Sequence, residues 1–195
     1  STILAGTLGA VDGSPKAVDI HVSQDVALTN SASIITFTSG PARGGDVNLT
    51  ADTLMMANVP FGVFTTTSGG GVGGNVALNV GTVHLLAGSS IQTSNQSSIP
   101  ESGQGGNVTI QGLQGAKFGA ATLITLSGDS SVVSQTAGKG VGRQVTITAK
   151  SLTMDGAATT VNATGSDIGS GGAMLVSVQQ AKLSGGATIG TLTNS

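Results

Sequence analysis

One short phrase recurs along this chain: two glycines, a small polar residue, then apolar residues at alternate positions. Its best copies are Gly44-Gly45-Asp46-Val47-Asn48-Leu49, Gly73-Gly74-Asn75-Val76-Ala77-Leu78 and Gly105-Gly106-Asn107-Val108-Thr109-Ile110. Gly142-Arg143-Gln144-Val145-Thr146-Ile147 and Gly171-Gly172-Ala173-Met174-Leu175-Val176 are weaker copies, and Asp19-Ile20-His21-Val22 lacks the glycines. Measured at Ile20, Val47, Val76, Val108, Val145 and Met174, the steps are 27, 29, 32, 37 and 29 residues. Self-similarity at such a period marks a stacked repeat, because a single unit of this size cannot bury its own apolar face.

Each unit carries a second apolar pair two residues apart: Val26/Leu28, Leu54/Met56, Val83/Leu85, Ile124/Leu126, Leu152/Met154 and Ala181/Leu183. Spacing by two puts both side chains on one face of a strand. A corner follows at Asn30, Asn58, Gly88, Gly128, Gly156 and Gly185, residue types that accept left-handed backbone angles. A third apolar position comes next, at Ile34, Ile91, Val132 and Ile189, with Val63 and Val161 filling it after a one-residue slip. Three short strands and their corners in about 28 residues describe one coil of a three-sided, right-handed parallel β-helix of roughly six coils. Val47, Val76, Val108, Val145 and Met174, with Ile20 before them, are expected to pile into one internal column. Asp19, Asp46, Asn75, Asn107 and Gln144 would form a polar ladder at the corner before it. Residues 19–195 form the solenoid as one domain; residues 1–18 are the end of a preceding coil, a loop or a partial cap. Ser1-Thr2-Ile3 is similar to Ala187-Thr188-Ile189, so the chain is expected to begin and end in the third strand, with open ends.

Composition agrees and narrows the function classes. Only 8% of the residues are charged, against roughly 25% in an average domain, and aromatics are 2%, while 38% are hydrophobic. Low charge with ample apolar content is not the signature of disorder, and the abundance of Val, Ile and Thr favours strands. A net charge of −2 gives no basic surface for nucleic acid and no polybasic segment for an anionic membrane. No apolar run approaches the ~20 residues of a membrane-spanning helix, and no charged-then-apolar leader opens the sequence at Ser1. Absence of cysteine excludes disulfides and thiolate metal sites.

The run Gly-Gly-Asn-Val-x-Ile/Leu, then Leu-x-Leu/Met, then Gly/Asn, then Ile-x-Thr-Ser resembles the repeats of filamentous-haemagglutinin-like exoproteins. Gly73 to Ser94 and Gly105 to Ile110 carry it best, and it decays over the span from Asp19 to Ser195. The resemblance implies a right-handed β-helical shaft, two-partner secretion through an outer-membrane β-barrel, and a role in adhesion or surface structure. The family's secretion domain carries short Asn-Pro motifs; none occurs here, so the piece resembles shaft.

Residues that suggest chemistry have plain structural readings beside them. Gly69-Gly70-Gly71-Val72-Gly73-Gly74 fits G-x-G-x-x-G but precedes a strand, whereas a dinucleotide fingerprint opens a helix. His21 and His84 fall between inward residues of different strands, so both point outward, without the partners that zinc or acid–base work needs. Asp129 and Asp155 lie near one corner of successive units, with Lys139, Arg143 and Lys150 the local basic residues. They are the weak candidates for a carboxylate pair that binds Ca²⁺ or acts on carbohydrate. Thr36-Phe37-Thr38, Thr65-Thr66-Thr67 and Thr191-Leu192-Thr193 suggest a flat Thr-x-Thr array of the kind that binds ice. Asn48, Asn95, Asn107 and Asn162 each open an N-x-[ST] sequon.

The expected function is therefore a structural or adhesive shaft of a secreted or bacterial cell-surface exoprotein, not an enzyme and without cofactors. Its partners are neighbouring solenoid segments or identical subunits stacked end to end, and host or cell-surface glycans and proteins met by loops such as Gln92–Gln104 and Leu113–Ala121. A self-assembling extracellular filament subunit is the alternative; a carbohydrate-active or ice-binding β-helix ranks below it.

Overall fold

The structure, a computed structural model, describes residues 1–8, 17–97, 103–113, 119–137, 140, 143–165 and 170–193. Every strand pairing between named strands is parallel, and the elements stack into a β-solenoid of about six turns. One wall is a seven-stranded ladder of β1 (Thr2–Leu8), β4 (Ser33–Ser39), β6 (Val63–Thr67), β8 (Ser90–Asn95), β11 (Ser131–Thr136), β13 (Thr160–Gly165) and β15 (Thr188–Thr193). The remaining perimeter is one sheet: β2 (Val18–His21) with β3 (Asp25–Thr29), β5 (Val47–Ala57), β7 (Val76–Leu86), β9 (Val108–Gln111) with β10 (Ala121–Ser127), β12 (Val145–Asp155) and β14 (Met174–Ser184).

The first and second strands of each unit, expected to be separate, run together in β5, β7, β12 and β14. They still line two faces. In β5 the buried residues are Val47, Leu49 and Ala51, then Leu54 and Met56, so the alternation skips at Asp52-Thr53. Two successive outward residues mean that the ribbon turns there. The ladder skips one pair at the same point, between Ala51↔Val80 and Thr53↔Thr82, and keeps its register across it. Asp52, Gly81, Lys150 and Gln179 thus mark a shallow corner that hydrogen bonding crosses with little interruption.

Val47, Val76, Val108, Val145 and Met174 are consecutive Cα partners in one column. The first coil needs a correction. Val18, not Ile20, pairs with Val47, and Ile20 stacks on Leu49. Asp19 accordingly leaves the corner ladder and accepts a hydrogen bond from Asn48 Nδ2 at 2.6 Å. A shift of two residues preserves the buried face, so alternation alone does not choose between these registers. The first step becomes 29 residues, the same as the step from Val47 to Val76. β1 is a strand of the third wall, and the next strand starts at Val18.

The second apolar pairs stack as Val26/Leu54/Val83/Ile124/Leu152/Ala181 and Leu28/Met56/Leu85/Leu126/Met154/Leu183. The third wall carries the column Ile3/Ile34/Val63/Ile91/Val132/Val161/Ile189. Within the inner coils these side chains are fully buried. Each buried Val, Leu or Ile contributes about 1.5–3 kcal/mol relative to exposure.

Corners have separate chemical devices. At the end of the second wall Asn30, Asn58, Gly88, Gly128, Gly156 and Gly185 all have positive φ, and Ala87 and Asp129 share that conformation beside them. Ser89, Ser130 and Thr159, all buried, then donate their hydroxyls to the carbonyls of Leu86, Ser127 and Asp155. The paired glycines serve another purpose, since none of them has positive φ. A Cβ at Gly74 would overlap the Gly45 carbonyl, and one at Gly106 would overlap that of Gly74. Here the backbones of successive coils touch, and only hydrogen fits between them.

Candidate functional site

The corner before the first wall holds the polar ladder. Asp46 Oδ1 accepts from Asn75 N (2.7 Å), Asn75 Oδ1 from Asn107 N (2.9 Å), and Asn107 Oδ1 from Gln144 N (3.0 Å). Arg43 closes the first rung with two bonds to the Asp46 carboxylate, at 2.6 and 3.1 Å. Every rung uses its side-chain oxygen to satisfy a backbone N–H one coil away, which leaves a structural spine.

The weak acid candidates come near each other but build no enclosed site. Asp129 and Asp155 are both exposed, and the Asp129 carboxylate lies over Gly156. Asp155 Oδ1 accepts from Ser184 Oγ at 2.7 Å. Lys150 starts the second wall and Asp155 ends it, about 17 Å apart along an extended strand. Lys139 lies outside the described residues. Among the described residues there is no group of three or more His, Cys, Asp or Glu side chains placed to hold a metal ion. His21 neighbours Thr50 on the first wall, while His84 sits between Met55 and Thr125 on the second, so the two do not meet.

The glycine run at Gly69–Gly74 leads into β7, and its Gly71 and Gly74 pack against the backbones of Ala42 and Gly45. It is coil-to-coil packing. The sequon at Asn95 is closed: the residue is buried and its Nδ2 donates to both Gly71 O (2.9 Å) and Gly103 O (2.7 Å). Asn48 Nδ2 is bonded to Asp19, Asn107 belongs to the ladder, and Asn162 sits half-buried on the outer side of β13.

Two of the three Thr-x-Thr segments face the interior, whereas Thr191 and Thr193, in the last coil, are exposed. Thr36, Thr38, Thr65 and Thr67 are buried. Thr36, Thr65 and Thr93 donate to the carbonyls of Gly45 (2.6 Å), Gly74 (2.7 Å) and Gly106 (2.6 Å), and Ser134 adds a second bond to Gly106 O (2.8 Å). Thr36, Thr38, Thr65 and Thr67, enclosed by the coil, offer no face to ice. Thr36 shares the face of Ile34 by alternation, and Phe37 between Thr36 and Thr38 takes the outer side, where its ring covers Gly6.

Two surface features are less apparent in the sequence. Phe61, 55% exposed, lies against Phe64 with ring centroids 5.5 Å apart. With Pro60, Ile35 and Ser33 it borders an apolar groove of about 150 Å³ outside the third wall. The signal was the position of the phenylalanines: of four in the chain, Phe37, Phe61 and Phe64 fall on two successive units. The second feature is the pair of ends. Ile3 (50% exposed) and Leu183 (44% exposed) belong to internal columns yet meet solvent. Ala5, Ile20, Val26 and Leu28 at one end, and Met174, Val176, Val178 and Ile189 at the other, are only partly covered.

No helix among the described residues is long and apolar enough to cross a membrane. In comparisons with known proteins, no family model, no curated protein and no solved structure matches the chain.

Proposed function

We propose that this chain is a length of the structural, adhesive shaft of a secreted or bacterial cell-surface exoprotein, of the filamentous-haemagglutinin-like kind that its repeat resembles. The observation that carries the reading is the stack of near-identical coils: the column Val47, Val76, Val108, Val145 and Met174 runs through five of them, and the corner ladder ties each coil to the next. A stack of this kind extends by adding coils of the same form, so neighbouring solenoid segments are its natural partners. The polar residues support a spacer role, since the corner ladder and the internal hydroxyls are engaged in holding one coil to the next. Chain threading during two-partner secretion suits a protein without disulfides. Contact with glycans or proteins belongs to what the walls present, the groove beside Phe61 among them.

The test is location. Antibodies raised against the folded chain are expected to label intact, unpermeabilised cells of the source organism, or to detect the protein in the medium. Label confined to the cytosol of broken cells overturns the proposal.

A further inference from the structure

We propose that Met55 and His84 form an open site on the outside of the second wall for a soft monovalent cation of the copper(I) and silver(I) class. The site does not depend on the shaft reading. β5 and β7 run side by side in parallel, and Met55 and His84 are Cα partners in their ladder. Met55 stands between the buried Leu54 and Met56, and His84 between the buried Val83 and Leu85. Alternation therefore turns both side chains to the outer face. Met55 is 39% exposed, and His84 is partly exposed beside it.

The pairing is selective. The chain has four methionines and two histidines. Met56 and Met154 are buried, and Met174 lies in the first internal column. His21 is on the first wall, beside Thr50. The one methionine on an outer face thus meets one of the two histidines on the neighbouring rung. Thioether sulfur and imidazole nitrogen are ligands that suit copper(I). Cysteine, whose thiolate would draw such an ion elsewhere, is absent.

The rung spacing suits a two-coordinate ion. A monovalent cation with a filled d shell accepts two ligands in line. Bonds of about 2.0 Å to an imidazole nitrogen and about 2.3 Å to a sulfur together span nearly the ~4.8 Å between neighbouring strands. An ion held midway between β5 and β7 meets both side chains without a shift of either backbone. The surroundings disfavour harder ions. In the same outer column the neighbours are Ala27 beyond Met55 and Thr125 beyond His84. Two residues away along the two strands stand Thr53 and Ala57, and Thr82 and Leu86. None of them is a carboxylate of the kind that holds calcium or magnesium, and two protein ligands fall short of the three or four that zinc takes.

The test is a titration of the whole chain with silver(I) nitrate in chloride-free buffer, followed by NMR. The Met55 methyl and the His84 ring signals are expected to shift together and to saturate at one ion per chain, with circular dichroism unchanged. Met55→Leu and His84→Gln both lie outside the core. Each is expected to weaken silver(I) binding about tenfold or more, the low end of what losing even an outer partner of a metal ligand costs. Zinc(II) and calcium(II) are expected to leave the Met55 methyl in place. A silver(I) response at His84 undiminished by Met55→Leu, equal affinity at His21, a zinc(II) response that matches silver(I), or no response at Met55 overturns the proposal. None of these outcomes bears on where the protein resides, so the shaft reading stands or falls separately.

Discussion

On the third wall, two neighbouring inward columns obey different physics. Ile34, Val63, Ile91, Val132 and Val161 form a hydrocarbon column, and two residues further along the same strands lies the column Thr36, Thr65, Thr93, Ser134 and Ala163. Both are buried. The first belongs throughout to the hydrophobic core cluster. The second sits beside the corner where the paired glycines bring successive backbones into contact, and the carbonyls of Gly45, Gly74 and Gly106 turn inward there. A buried carbonyl needs a donor, and a threonine supplies one while its methyl still packs. The hydroxyls and the glycines are therefore two halves of one device: hydrogen-only packing draws the coils together, and the hydroxyls satisfy the groups this encloses.

Exchanging chemistry between the columns tests that difference. The largest effect is expected from Ile91→Asp, which buries a charge without a partner and costs about 4–5 kcal/mol or more; thermal denaturation should find little folded protein. Ile91→Thr is milder, since it loses packing and buries a hydroxyl where its neighbours are hydrocarbon. A loss of about 2–4 kcal/mol is expected in urea titration. The reverse exchange, Thr93→Val, removes one of two donors to Gly106 O and should cost only about 0.5–1.5 kcal/mol. If it costs as much as Ile91→Thr, the distinction between the columns fails. The smallest effect is expected one step further along, at Thr67, whose buried Oγ1 has no hydrogen-bond partner. Thr67→Val should leave the melting temperature unchanged or raise it, by a change within about 1 kcal/mol.

Much of this architecture was legible in the sequence because a stacked repeat writes each contact several times. Leu54 and Met56 predict their neighbours simply by recurring as Val83 and Leu85. What stayed hidden involved register and hydrogen-bond partners. Ile20 and Val18 are both inward candidates, and without a glycine pair to anchor the first unit nothing local chose between them. Thr36 shares its face with Ile34 by period-two alternation, so its inward direction is legible, but its partner, the Gly45 carbonyl, is not. The polar ladder through Asp46, Asn75, Asn107 and Gln144 was legible as a column, but its mechanism, a side-chain oxygen reaching the main chain one coil away, needed coordinates. Asp129 and Asp155 share the corner that the repeat assigns them, but both are exposed there and enclose no site, which needed coordinates to see.

The excursion in the fourth coil has a consequence for how such a protein can change. Gly112 and Gly119 pinch its base with a reciprocal pair of backbone bonds, at 2.7 and 3.2 Å. Past it, Leu123 pairs with Thr82 on one side and Ser151 on the other. The ladders on both sides resume in step, so the register of the walls is set by the strands outside the two glycines. A lineage can lengthen, trim or rewrite that stretch without refolding the column behind it, which makes the fourth coil a ready-made mount for variable or foreign cargo.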